Sequence, residues 1–111
     1  MAQNSIRAIP LTQLDAATLL ITYQPVNPGG LPEACIILRI INGSNVAIAI
    51  SYDGITDNDT LAANQTLQVN AQTNSQPAAQ VSLWPKGTVV YARSLVAGIG
   101  NVNVAGYYNP R

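Results

Sequence analysis

Apolar and polar residues alternate through most of this chain with the period of a β-strand. The clearest stretch is residues 34–54, ACIILRIINGSNVAIAISYDG. Its second half sets Val46, Ile48, Ile50 and Tyr52 on one side and Ala47, Ala49 and Ser51 on the other. That predicts a strand with its large residues turned inward. Its first half is apolar on both sides, with Ile36, Ile37, Leu38, Ile40 and Ile41 around Arg39. A strand of this kind is covered on both faces, by a second sheet or by another subunit. Asn42-Gly43-Ser44-Asn45 joins the halves. Asn-Gly between β-branched runs predicts a hairpin closed by a type I′ turn.

The same pattern predicts further strands on either side. Residues 16–24 alternate as a first strand, and residues 25–32 follow with three prolines and two glycines. Such a segment is a loop, crossing between sheets. Residues 53–59 read as a loop and residues 60–71 as one or two short strands, with Leu67 and Val69 alternating against polar neighbours. A polar loop containing Pro77 spans residues 72–80. Val81, Leu83 and Trp84 make a short strand closed by Pro85-Lys86-Gly87. Residues 88–96 and 101–108 are the last two strands, turned at residues 97–100. No segment longer than a turn or two has a helical period. About seven or eight short strands at this spacing predict an all-β fold, an antiparallel β-sandwich or a jelly-roll-like barrel. The chain has 111 residues, which suits one such domain over residues 16–111. Residues 1–15 have no clean period but carry Ile6, Ile9, Leu11 and Leu14. They read as an extended arm, laid on the same domain or on a neighbour, or as a frayed terminus. An arm that orders only against a neighbour adds little to the fold of one subunit and much to association.

Charge changes the picture. Only 9% of the residues are charged, against about 25% in an average domain. Five basic and five acidic residues cancel, and no basic patch points to nucleic acid or an anionic membrane. A neutral, amide-rich surface suits a protein that lives in an assembly, because charge is what keeps free monomers apart. Cys35 is the only cysteine and reads as a small buried hydrophobe, so no disulfide framework is expected. No signal peptide and no membrane span are expected, which places synthesis in a cytoplasm. The acceptor-like triplets at Asn42, Asn58 and Asn64 read as chance in that setting.

Candidate chemistry is sparse. There is no histidine, which removes Ser-His and Cys-His pairs, His-ligated metals and the commonest acid–base group. No enzyme and no cofactor is expected. Asp53, Asp57 and Asp59 sit on one loop and could offer oxygen ligands to calcium, but the spacing fails the EF-hand pattern. A solvated turn explains them as well. Trp84, Tyr91, Tyr107 and Tyr108 could build a sugar-binding shelf or simply pack. The candidates for a subunit interface are Ile6, Ile9, Leu11 and Leu14 on the arm, Ile37, Arg39 and Ile41 on the doubly apolar strand, and Trp84 and Tyr107.

The order of motifs carries a resemblance. RIIN-x-S-x-V-x-I-x-I-S-Y-D-G is followed by T-D-N-D and L-x-A, then L-W-P-K-G-T-x-V-Y-A-R, then V-x-V-x-G-Y-Y. This resembles small β-sandwich virion proteins of tailed bacteriophages. Ser51-Tyr52-Asp53-Gly54 and Lys86-Gly87-Thr88 through Arg93 hold the matching positions. The resemblance covers residues 36–108 and transfers no catalytic residue. It implies a structural part of a virion, such as a capsid decoration protein or a head–tail or tail accessory protein. Its partners would be copies of itself and other virion proteins, without nucleic acid or membrane. The competing expectation is a carbohydrate-binding module of an adhesin or tail fibre.

Overall fold

A computed structural model of the chain describes residues 6–70 and 84–108. They form two antiparallel sheets packed face to face, with one turn of 3-10 helix. The strands are β1 (Arg7–Ala8), β2 (Thr12–Asp15), β3 (Gln24–Pro25), β4 (Ile37–Asn42), β5 (Ile48–Ser51), β6 (Asp59–Leu61), β7 (Thr66–Asn70), β8 (Tyr91–Arg93) and β9 (Asn101–Tyr108). In the first sheet β9 pairs with β1, β2 and β4, and β4 pairs also with β7. The second sheet runs β3-β8-β5-β6. This is the all-β sandwich that the alternation predicts.

Alternation decides which side chains enter the core. Leu38, Ile40, Val102 and Val104 point in from the first sheet, and Ile48, Ile50, Leu61, Val90 and Ala92 from the second. All are buried and form one cluster. Each fully buried branched side chain contributes roughly 1.5–3 kcal/mol. Val46 and Tyr52 are half-buried and pack against the same cluster, so the inward face of β5 is the one its pattern predicts. Cys35 is fully buried, and burial raises the pKa of its thiol.

The central hairpin does not form. β4 and β5 lie in different sheets, because both edges of β4 are taken, by β7 and β9. Gly43 lacks the positive φ of a type I′ turn. The segment is instead a corner held by Asn42, whose side chain is fully buried. Its Nδ2 donates to the carbonyls of Val46 and Ala62, each at 2.9 Å. Its Oδ1 accepts from the backbone N–H and the hydroxyl of Ser44. The β4–β9 pairing continues into the corner, where Gly43 N–H donates to Asn101 O at 2.9 Å and Asn45 N–H to Ile99 O at 3.2 Å. Beyond it β5 pairs with β8. Residues 37–51 and 91–108 are thus one two-stranded ribbon folded across both sheets.

One further expectation is corrected. Residues 16–24 are not a strand apart from Gln24, which opens β3. Asp15 caps the 3-10 turn Ala16–Thr18: its carboxylate accepts from Ala17 N–H at 2.9 Å, and its carbonyl accepts from the Thr18 hydroxyl at 2.6 Å. Capping chemistry wins over alternation there. Ala16 and Leu19 are buried, while Leu20 and Ile21 face solvent. Residues 7–15 lie on this same domain. They run along β9 as the edge of the first sheet, with Ile9 buried. Strand β8 is also shorter than the predicted run over residues 88–96, and the loop from β3 to β4 does cross between sheets. Residues 72–80 and the residues Val81 and Leu83 lie outside the described residues.

Candidate functional site

The outer face of the second sheet is built by alternation on β8. Val90 and Ala92 enter the core, so Tyr91 and Arg93 stand on the other side. The loop after β5 folds over them. Ser51, buried, donates its hydroxyl to Asp53 Oδ1 at 2.7 Å and accepts from Gly54 N–H at 2.9 Å. Asp53 Oδ1 also accepts from the N–H groups of Ile55 and Thr56, each at 2.8 Å. Gly54 takes a φ of 81°, and a β-carbon on it would sit 3.3 Å from the Tyr91 ring. Asn58 closes the loop: its side chain accepts from Tyr52 N–H, and its own N–H donates to Ile50 O.

The loop delivers Asp57 to Arg93. Arg93 donates from Nη2 to Asp57 Oδ2 at 2.7 Å and from Nε to Oδ1 at 3.2 Å. The Tyr23 hydroxyl donates to the same carboxylate. The guanidinium carbon stands 5.3 Å from the centre of the Tyr23 ring, a cation–π distance. Ile21, Thr22, Gly54 and Ile55 complete an open depression of about 480 Å³ around this cluster.

Each charge here is held in its ordinary state. Arg93, then Tyr23, keep the Asp57 carboxyl below the usual range, and the bond to Asp57 raises Arg93. The N–H groups of Thr56 and Ile55 and the Ser51 hydroxyl lower Asp53. Desolvation, then the bond to Asp57, raises Tyr23. These directions keep Asp53, Asp57 and Arg93 charged and Tyr23 neutral at neutral pH. The three loop carboxylates also diverge. Asp53 serves its own loop, Asp57 meets Arg93, and Asp59 accepts from the Tyr52 hydroxyl at 3.1 Å. Among the described residues no group of three or more potential metal ligands comes together.

Two exposed aliphatic side chains, Ile21 and Ile55, line the depression beside the cluster, and more are exposed elsewhere. Ile55 is 84% exposed, Leu95 80% and Ile99 78%, and Leu20, Ile21 and Val96 are exposed as well. Five of these six lie on two adjoining segments. Ser94 N–H donates to Leu20 O, and Ala16 bonds both Gly98 and Gly100 through its backbone.

The residues singled out from the sequence are dispersed. On the outer face of the first sheet, Ile37 sits opposite Tyr107, with Arg39 and Ile41 beside it, all half-buried. Ile9 points into the core, Leu14 packs against it half-buried, and Ile6 and Leu11 are exposed. Trp84 is turned onto Tyr52, with ring centres 5.2 Å apart, and its backbone bridges Cys35. Trp84 and Tyr107 therefore serve different surfaces. The exposed aliphatic residues and the Arg93–Asp57–Tyr23 cluster were missed by sequence reasoning. A signal for two of the exposed residues exists: Ile55 sits among Asp, Gly and Thr, and Ile99 between two glycines. A large aliphatic residue inside a turn has nowhere to go but solvent.

No family model, curated protein or solved structure matches the chain.

Proposed function

We propose that this protein is a non-enzymatic structural component that works by packing into an oligomeric assembly. We take that assembly to be a tailed-phage virion, with the protein as a capsid decoration or cement protein or a head–tail or tail accessory part. The observation that carries the packing half is the exposure of Leu20, Ile21, Ile55, Leu95, Val96 and Ile99, on a chain with 9% charged residues. Large aliphatic side chains exposed in this number on a sparsely charged protein suit a surface that a partner covers in use. The virion half rests on the motif order from Arg39 to Tyr108. Its partners would be its own copies and other virion proteins, after synthesis in the host cytoplasm.

A sugar-binding module is less well supported. Its exposed aromatic shelf would need Trp84, which is half-buried against Tyr52, and Tyr91, which lies under Gly54. The test is the mass in solution by light scattering over a wide concentration range. Species heavier than the 11.7 kDa chain are expected. A strict monomer, or a monomer that binds a glycan, overturns the proposal.

A further inference from the structure

Asn42-Gly43 is the one Asn-Gly pair in the chain. Such a pair carries its own reactivity, because glycine has no side chain to shield its backbone nitrogen and lets the chain bend toward the asparagine. The Gly43 nitrogen attacks the side-chain carbonyl carbon of Asn42. A C–N bond forms, the bond from that carbon to Nδ2 breaks, and the amide nitrogen leaves as ammonia with the Gly43 proton. Water then opens the imide ring at one of its carbonyls, to aspartate or isoaspartate. Water is the only co-reactant.

The fold withholds the Asn42 carbon from this attack. The Asn42 side chain is fully buried. Its Nδ2 donates to the carbonyls of Val46 and Ala62, each at 2.9 Å, and to that of Leu61 at 3.4 Å. Its Oδ1 accepts from Ser44 N–H at 3.1 Å and from the Ser44 hydroxyl. The main chain is held too: Asn42 N–H donates to Gln65 O and Gly43 N–H to Asn101 O, each at 2.9 Å. Gly43 itself is exposed, so the protection lies in this grip and not in shielding of the nitrogen from water. Closing the imide ring requires all of it to be released. Neither product fits the corner afterwards. Aspartate sets a carboxylate against the Val46 and Ala62 carbonyls with no proton to give them. Isoaspartate routes the main chain through the former side chain, which adds a methylene at the point where Asn42 pairs with Val102.

We propose that Asn42-Gly43 is a modification site, reactive only in the unfolded chain, whose deamidation makes unfolding irreversible. The group that holds the corner is the group that is lost. A chain that stays unfolded therefore loses the means to refold, and a reversible transition becomes a one-way exit. Because the site opens with the sandwich, its rate follows the unfolded population.

The wild-type chain is held at mildly alkaline pH in a series of urea concentrations that spans its unfolding transition. Peptide mapping by mass spectrometry reads amide loss at Asn42 and separates it from loss at Asn4 and Asn74, which precede serines. Loss at Asn42 should be slowest in native buffer, rise with the unfolded fraction and level off above the transition. After dilution from urea, gel filtration separates refolded chains from the rest. The refolded pool should hold intact Asn42, and its share should fall one for one with the fraction deamidated there. If Asn42 loses its amide at the same rate on both sides of the transition, the corner does not protect it and the proposal is wrong. Modified chains in the refolded pool with the wild-type urea midpoint would overturn it equally.

Discussion

A β-carbon on Gly100 would stand 2.2 Å from the carbonyl oxygen of Gly43. The two glycines face each other where the folded ribbon turns from one sheet into the other, and Gly100 holds a φ of 112° there. Both sterics and backbone conformation therefore exclude a side chain. Gly100→Ala is expected to cost roughly 2–4 kcal/mol, read as a lower urea midpoint with an unchanged slope. A midpoint within error of the wild type would mean that the ribbon does not bend there.

Asn42→Ala should cost about 1–3 kcal/mol, since the carbonyls of Val46 and Ala62 lose their buried donor. Asn42→Asp should be worse. A carboxylate keeps the contact to Ser44 but faces two carbonyls with no proton to give. Denaturant melts of the pair should rank them in that order.

Acid should weaken the loop over β8. Unfolded, Asp53 and Asp57 titrate near about 3.9. Folded, both are held lower, by backbone N–H groups and the Ser51 hydroxyl in one case and by Arg93 and Tyr23 in the other. A depressed folded pKa gives a contribution that is present above about pH 4 and is lost as pH falls through the folded value. Asp53→Asn and Asp57→Asn should therefore each flatten the fall in stability below about pH 4. Urea midpoints at several pH values measure it, and an unchanged acid limb contradicts the two assignments.

Chelating calcium should leave the melting temperature unchanged, because Asp53, Asp57 and Asp59 each meet a different protein donor. A site held at 100 times its dissociation constant would add about 2.7 kcal/mol. A clear calcium-dependent rise in the melting temperature would count against that geometry.

Removing residues 2–14 should destabilise the monomer. The cut takes away β1, most of β2 and buried Ile9, and uncovers one edge of β9. A truncated chain that melts with the wild type would return the segment to the status of an independent arm.

What the sequence makes legible is what repeats locally. The inward face of β5 and the full length of β9 follow from alternation alone, because a strand buried on one side must alternate. Partner choice does not follow. Asn42-Gly43 is good hairpin chemistry, and only Ala62, 20 residues on, shows that the amide is needed for a corner. Asp15 likewise outweighs the alternation after it by capping a turn. The cluster at Arg93 joins residues 34 and 36 positions apart, so no spacing motif could announce it.

The position of β9 sets the order in which this chain can fold. Residues 101–108 are made after every other described strand, yet β1 and β2 have no other partner among the described strands. On the ribosome, β1 and β2 must wait for β9, and β4 waits with one edge open. Contacts this distant in sequence make folding slow and leave strand edges exposed for longer. For a chain this poor in charge, the risk of aggregation is thus concentrated in the interval before synthesis reaches β9.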